Sequence, residues 1–280
     1  MMSAHSAIQK QQLVKLKKHY EIYLNQLNYY QHLRRTLPVG TVLVTMDFSS
    51  IYLRAYTTGN VPEAQIQDYI LILEYRTVDG EWHRKALNFL CGNQDCNKND
   101  YHYVATVWFR LFLSYDYLRG FHTIHVFSDG GPHHFKTRFC QFLFHFCSYT
   151  YSVDIHHHFF ASHHGHSIAD GHAGIIKQLI YHTFLANEGN RKCVLSTSIS
   201  RANMHDGPVT APEVRQLLQE QGPPDTYVYV LHSIPRDHKP KPKPVPHIKS
   251  YHHFHYAPDH SCKLYPQSNC TEGEIIHAFS

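Results

Sequence analysis

Long apolar runs are missing from this 280-residue chain. No stretch of about 18 apolar residues occurs, which argues against a membrane-spanning helix. The most apolar segment, residues 104–117, is interrupted by Arg110. Residues 1–20 are polar and basic and lack the apolar core of a secretory signal, so an intracellular protein is expected. No cysteine pair has CxxC spacing, and the seven cysteines are an odd number, which speaks against a disulfide framework and for a reduced protein. Charge is also scarce. Only 17% of residues are charged against 42% hydrophobic, which excludes a disordered, self-repelling chain. No helix-turn-helix or zinc-finger pattern precedes Tyr20, and no internal repeat is visible.

Histidine is what the chain has instead. It carries 27, with 20 Tyr and 16 Phe. Lys and Arg exceed Asp and Glu by 26 to 22, a formal charge of +4. Half-titration of the histidines near pH ~6.5 would add about a dozen positive charges. The chain is therefore read as mildly basic at neutral pH and strongly basic in acid.

Apolar residues at helical spacing (Leu13, Leu16, Tyr20, Tyr23, Leu24, Leu27 and Tyr30) predict an amphipathic helix over residues 6–33, closed by Pro38-Val39-Gly40. Strands are expected at 41–48, 69–77, 81–90, 123–128, 151–161 and 227–231. Asp79-Gly80 marks a hairpin between the second and third. Helices are expected at 100–118, 133–146, from Ser167 or Asp170 to about 185, and from the Thr210-Ala-Pro-Glu213 capping box to 221. Residues 239–244, alternating Lys and Pro, form an extended basic linker, and one more strand is expected within 247–254. The chain is thus divided into an N-terminal helix (1–38), a core (39–190) and a C-terminal helix and strand extension (191–280). Three strands followed by alternating helices and strands give a ribonuclease-H-like α/β fold, a mixed sheet with flanking helices.

On that order three carboxylates fall at telling places. Asp47 lies toward the end of the first strand, Asp129 directly after the fourth, and Asp170 at the start of the helix after the fifth. Acids brought together repel unless cations neutralise them. Two Mg²⁺ or Mn²⁺ ions about 3.5–4 Å apart would do so and could activate a water or a 3′-hydroxyl. Each acid also has an ordinary reading: a turn former, a helix cap, or an acceptor of backbone hydrogen bonds. Lys136 and Arg138 after Asp129, and Lys177 two turns beyond Asp170, are candidate phosphate contacts, as are His164 and His166 before it. A solvated helix face and a polar loop are the alternatives. His156 and His158 share one face of a strand and could ligate a metal, or simply belong to a partly buried polar strand end. Cys91, Cys96 and His102, or Cys262, Cys270 and His260, lack tight zinc spacing, and zinc is not expected.

Three segments carry a family likeness: Asp47-Phe-Ser-Ser-Ile-Tyr52, Ser128-Asp-Gly-Gly-Pro-His-His-Phe-Lys136, and Phe160-Ala-Ser-His-His-Gly-His-Ser-Ile-Ala-Asp-Gly-His-Ala-Gly-Ile-Ile-Lys177. They resemble the blocks DFSxNY, SDGxxxQFK and HGKxxxDGxGGxxK of DDE/D transposase catalytic cores of the mutator or Kyakuja–Dileera–Zisupton type. The likeness spans about residues 20–254 and is specific only in the blocks. It implies Asp47, Asp129 and Asp170 as a catalytic, metal-binding triad. It also implies DNA as partner, homo-oligomerisation as an open question, no membrane, and DNA cleavage with strand transfer in transposition. Ile51 stands in place of Asn, His134 in place of Gln, His166 in place of Lys and Ala173 in place of Gly. Such departures fit a domesticated, catalytically inactive DNA- or protein-binding derivative as an alternative, and a related ribonuclease-H-like nuclease as another. Ten of the 27 histidines lie between Asp129 and His172. They are read as softening a nucleic-acid-facing surface, with DNA binding that strengthens as pH falls from about 8 to 6.

Overall fold

The computed structural model describes residues 4–53, 64–92, 98–130, 134–161, 167–185, 210–237 and 240–276. In chain order the elements are α1 (Ala4–Thr36), β1 (Thr41–Leu53), β2 (Ala64–Arg76), β3 (Trp82–Cys91), α2 (Tyr101–Leu113), β4 (Thr123–Ser128), α3 (Arg138–Tyr151), β5 (Asp154–Phe159) and α4 (Ile168–Ile180). A π-helical turn (Tyr181–Leu185), α5 (Ala211–Gln221), β6 (Thr226–Val230), a 3₁₀ turn (Ile248–Ser250), β7 (His253–Tyr256), β8 (Cys262–Tyr265) and β9 (Glu274–Ile276) complete it. The strands form one mixed sheet in the order β6-β3-β2-β1-β4-β5-β7-β8-β9. The run β3-β2-β1-β4-β5, with β2 and β3 antiparallel and β4 and β5 parallel, is the ribonuclease-H-like arrangement expected from the element order. No helix among the described residues is long and apolar enough to cross a membrane.

The chain divides into two compact units. Unit 1 is Met1–Leu43, Gly120–Gly165 and Lys241–Ser280; unit 2 is Val44–Arg119 and His166–Pro240.

In unit 2, β2 and β3 form the expected hairpin. Gly80 takes φ +81 in its turn, a region that disfavours side chains, and its N–H donates to the Thr77 carbonyl at 2.9 Å. β6 adds in parallel to β3. β2 is buried on both faces, as its near-continuous apolar run requires. On one face Tyr69 meets α2, where the Trp108 indole donates to the Tyr69 hydroxyl at 3.1 Å. On the other, Ile70, Ile72 and Ala86 pack against Ala169 and Ala173 of α4. α5 joins that side through Val214, Leu217 and Leu218, packed with Ile176, Leu90 and Val228.

In unit 1, α1 covers one face of the sheet through Tyr30, Leu33 and Leu37, which meet Leu43, Phe127 and Phe160. α3 covers the other face, where the Phe144 ring lies 4.7 Å from that of His157. The apolar stripe of α1 is used only in its second half: Leu13, Leu16 and Tyr20 stay exposed.

Several boundaries differ from expectation. α3 starts at Arg138 rather than 133, because the Thr137 hydroxyl caps it by accepting from the Cys140 N–H at 3.3 Å. α2 stops at Leu113, short of 118, just ahead of Asp116 in the left-handed region at φ +58. The sequence pattern predicts neither β8 nor β9, since four- and three-residue strands leave almost no period to read.

Candidate metal centre

Asp47 lies within β1 in unit 2, half-buried, and its Oδ1 accepts the Phe48 N–H at 2.8 Å. Asp170 is the third residue of α4, also in unit 2. Its Oδ2 accepts both the Ser167 N–H (2.8 Å) and the Ser167 hydroxyl (2.9 Å), and its own N–H donates back to that hydroxyl at 3.4 Å. That is a full capping box. Asp129 directly follows β4 in unit 1, and its Oδ1 is buried without a hydrogen-bond partner. A buried carboxylate oxygen left so is costly, and a cation would satisfy it.

The proposed phosphate contacts differ in exposure. Lys136 is only 5% exposed. It donates to the Lys249 carbonyl at 3.1 Å and lies over the Phe159 ring. Burial pulls its pKa down to about 8, against the opposing pull of Asp129. Arg138 and Lys177 are exposed, on α3 and α4. His164 and His166 lie outside the described residues, as do Cys96 and His163.

Unit 2 also buries a carboxylate that no local sequence pattern marks. Asp68 of β2 is 1% exposed. Its Oδ2 accepts the Asn88 amide at 2.7 Å, its Oδ1 has no partner, and the Asn88 Oδ1 lies 2.9 Å from His172 Nε2 on α4. Burial raises Asp68 to about 8 against the Asn88 hydrogen bond and the Lys177 charge. Burial, then the charge of Arg84, lowers His172 to about 4.

Among the described residues, unit 1 holds a dense cluster of imidazoles. β4 and β5 run parallel with His125 opposite His156 and Phe127 opposite His158. β5 and β7 run antiparallel with His156 opposite His255 and His158 opposite His253. Period-2 alternation therefore puts five imidazoles on one sheet face. The rings stack: His125 on His156 at 4.6 Å, His156 on His255 at 4.1 Å, His158 on His253 at 4.2 Å, and His253 on Tyr265 of β8 at 4.6 Å. Tyr29 of α1 approaches His158 at 5.2 Å. The nitrogens meet too. His125 Nδ1 is 3.1 Å from His158 Nε2, and His156 Nδ1 is 3.0 Å from His253 Nε2. His158 Nδ1 is 2.7 Å from the Ser268 hydroxyl, and His255 Nε2 is 3.0 Å from Asp154 Oδ1. One nitrogen from each of His125, His156 and His158 lies within 4.8 Å of the others. His157, between the last two, points to the α3 face, where its Nε2 is 2.9 Å from the Ser128 hydroxyl.

Burial favours the neutral form of four of these rings, His125, His156, His158 and His253. It lowers His125 to about 4, helped by the His255 charge, and His253 to about 3, helped by His125 and His255. His156 and His158 are pushed down by the same cause. The expectation of a histidine-softened outer surface is corrected for His145, His157, His158 and His172, which are buried, whereas His134 is exposed and His133, His163, His164 and His166 lie outside the described residues.

A family model described as a domain of unknown function, DUF8701, matches residues 88–268. The chain belongs to the DUF8701 family. No curated protein and no solved structure matches it. The DUF8701 segment contains all five stacked histidines and ends on Ser268, the hydroxyl partner of His158. Asp129 and Asp170 fall inside it, whereas Asp47 and Asp68 precede it.

A signal for the histidine face exists in the sequence. His156-x-His158 and His253-x-His255 are both period-2 pairs in β-rich surroundings, and pairing two such strands places four imidazoles on one face. Which strands pair, and in what register, is what the sequence alone withholds.

Proposed function

We propose that this chain is a ribonuclease-H-like phosphodiester-processing protein of transposase type, acting on DNA through Asp47, Asp129 and Asp170 with Mg²⁺ or Mn²⁺. The observation that carries the reading is the strand order β3-β2-β1-β4-β5, with one of these acids in β1, one directly after β4 and one in the first turn of α4. The unpartnered, buried Oδ1 of Asp129 fits a cation. With metal bound, the chemistry would be activation of a water or 3′-hydroxyl and stabilisation of the leaving oxygen. Exposed Arg138 and Lys177 would hold the DNA backbone. A nuclear site of action follows from this reading.

The test is cleavage of supercoiled plasmid by the full chain in Mg²⁺ or Mn²⁺. The reading expects metal-dependent nicking that Asp129→Asn abolishes while the fold is retained. Clean protein that neither nicks nor binds Mn²⁺ overturns it.

A second reading is favoured by the Asp170 capping box, which commits one carboxylate oxygen to Ser167. It is a transposon-derived protein that binds DNA or protein without cutting. Salt-sensitive DNA retardation in the absence of any cleavage supports it.

A further inference from the structure

We propose that His125, His156 and His158 form a binding site for one divalent transition-metal ion, with Zn²⁺ the best-matched ion. It is independent of the carboxylate reading and uses different donors on one sheet face of unit 1.

Geometry comes first. The three rings belong to two adjacent parallel strands, in a register that sets His125 beside His156 and places His158 one pleat further along the same face. Two nitrogens on a tetrahedral Zn²⁺, each about 2.0–2.1 Å from the metal, are about 3.3 Å apart. His125 Nδ1 and His158 Nε2 are already 3.1 Å apart, and the whole set spans at most 4.8 Å. A contraction of about 1.5 Å at the widest pair would close it.

The surroundings match what a metal-bound imidazole needs. Such a ring has its second nitrogen fixed by a polar partner, which sets the tautomer and the ring angle. Ser268 does this for His158, at 2.7 Å from Nδ1, leaving Nε2 toward His125. His255, stacked on His156, is held in turn by Asp154 at 3.0 Å. A fourth imidazole stands beside the set. His253 is 6% exposed, its Nε2 is 3.0 Å from His156 Nδ1, and its Nδ1 is buried with no hydrogen-bond partner. A metal would draw on that excess of nitrogen.

Donor chemistry selects the ion. Imidazole nitrogens suit Zn²⁺, Cu²⁺ and Ni²⁺, whereas Mg²⁺ and Ca²⁺ take oxygen. Burial also keeps the rings in the neutral form that ligation requires. The competing account is a metal-free imidazole stack, each close nitrogen pair sharing one proton.

The experiment uses the full chain, stripped with chelator and reloaded with Zn²⁺ in a large excess of Mg²⁺. After gel filtration, metal analysis is expected to give one Zn²⁺ per chain. The pair His125→Gln and His156→Gln, combined in one variant and shown folded by circular dichroism, is expected to lose it. X-ray absorption of the Zn²⁺-loaded wild type is expected to show a first shell with at least three imidazole nitrogens. That reading stands even if the double variant fails to fold. Absence of retained Zn²⁺, a folded double variant that retains as much as wild type, or a first shell dominated by sulfur or carboxylate oxygen each overturns the site. None of these outcomes bears on plasmid nicking in Mg²⁺.

Discussion

Asp68 and Asn88 share a 2.7 Å hydrogen bond in the interior of unit 2, yet the other Asp68 oxygen has no partner. The folded carboxyl holds its proton up to about pH 8, against an ordinary value of 3.8. Between those values the unfolded chain is ionised and the fold is not. Unfolding therefore releases a proton, and stability falls as pH rises through that window, by up to ~1.4 kcal/mol per pH unit. Asp68→Asn removes this slope and gives the unpartnered position a neutral amide. Its melting temperature, measured against wild type, is expected to gain steadily from pH 5 to pH 8. An unchanged difference across that range counts against a buried, protonated Asp68.

His172, at the other end of the same chain of contacts, has the opposite sign. Its folded value of about 4 lies below the ordinary 6.5, so it folds neutral. Stability is fully present above pH 6.5 and is lost as pH falls toward 4. His172→Gln, which can still meet Asn88 without titrating, is expected to flatten the acid limb of a stability–pH curve. Denaturant midpoints at pH 4.5 and 7 check this.

Gln26 is fully buried and serves three backbone groups. Its amide donates to the carbonyls of Phe159 (2.8 Å) and His252 (3.0 Å), and its oxygen accepts the Ser268 N–H at 2.9 Å. Gln26→Leu removes all three bonds; the His252 carbonyl keeps the Phe159 N–H at 2.9 Å, while the Phe159 carbonyl and the Ser268 N–H lose this partner, at an expected cost of about 2–4 kcal/mol in urea unfolding. Because Ser268 also holds His158, the same variant is expected to weaken Zn²⁺ retention.

Asp100 has two separable jobs. It caps α2 by accepting the Tyr103 N–H at 3.1 Å, and it pairs with Arg236 at 3.1 Å. Asp100→Ala is expected to cost about 1–2 kcal/mol and Asp100→Asn less, because the cap survives. Arg236→Ala, which breaks a partly exposed pair, is expected to cost no more than ~1 kcal/mol. Thermal unfolding of the three variants orders them.

Asp170→Ala separates cap from catalysis. As a cap alone, Asp170 contributes about 1 kcal/mol to stability. In that case, plasmid nicking by the folded variant should persist. Loss of nicking at unchanged fold places the carboxylate in the chemistry.

The elements whose side-chain period matches their burial were legible. β4 was expected at its observed bounds, and the β2–β3 hairpin was announced by Asp79-Gly80. Asp129 and Asp170 fall where they are expected, directly after β4 and in the first turn of α4, whereas Asp47 sits in the middle of β1 rather than toward its end, because that strand runs on to Leu53. The histidine face was not legible as a face. His125, His156 and His253 are far apart in the chain, and only parallel pairing at β4–β5 and antiparallel pairing at β5–β7 sets them side by side. Local pattern carries alternation but not register. The burial of Asp68 was hidden for a similar reason. It depends on α4 closing over β2, a tertiary event with no local mark.

The chain passes between its two compact units four times, and unit 1 is gathered from three separate stretches of sequence. The consequence concerns how the molecule is made. No unit can be completed until distant segments are available, so much of the closure entropy must be met before the contacts that repay it. Emergence of β7 and β8, after residue 250, is the step that supplies β5 with its outer neighbour. A fragment trimmed to residues 88–268 would lack α1, β1 and β2, and with them Gln26 and the partner strand of β3. The boundaries of the family match are therefore poor boundaries for expression, and folding of this chain should be slow, dependent on its full length and sensitive to C-terminal truncation.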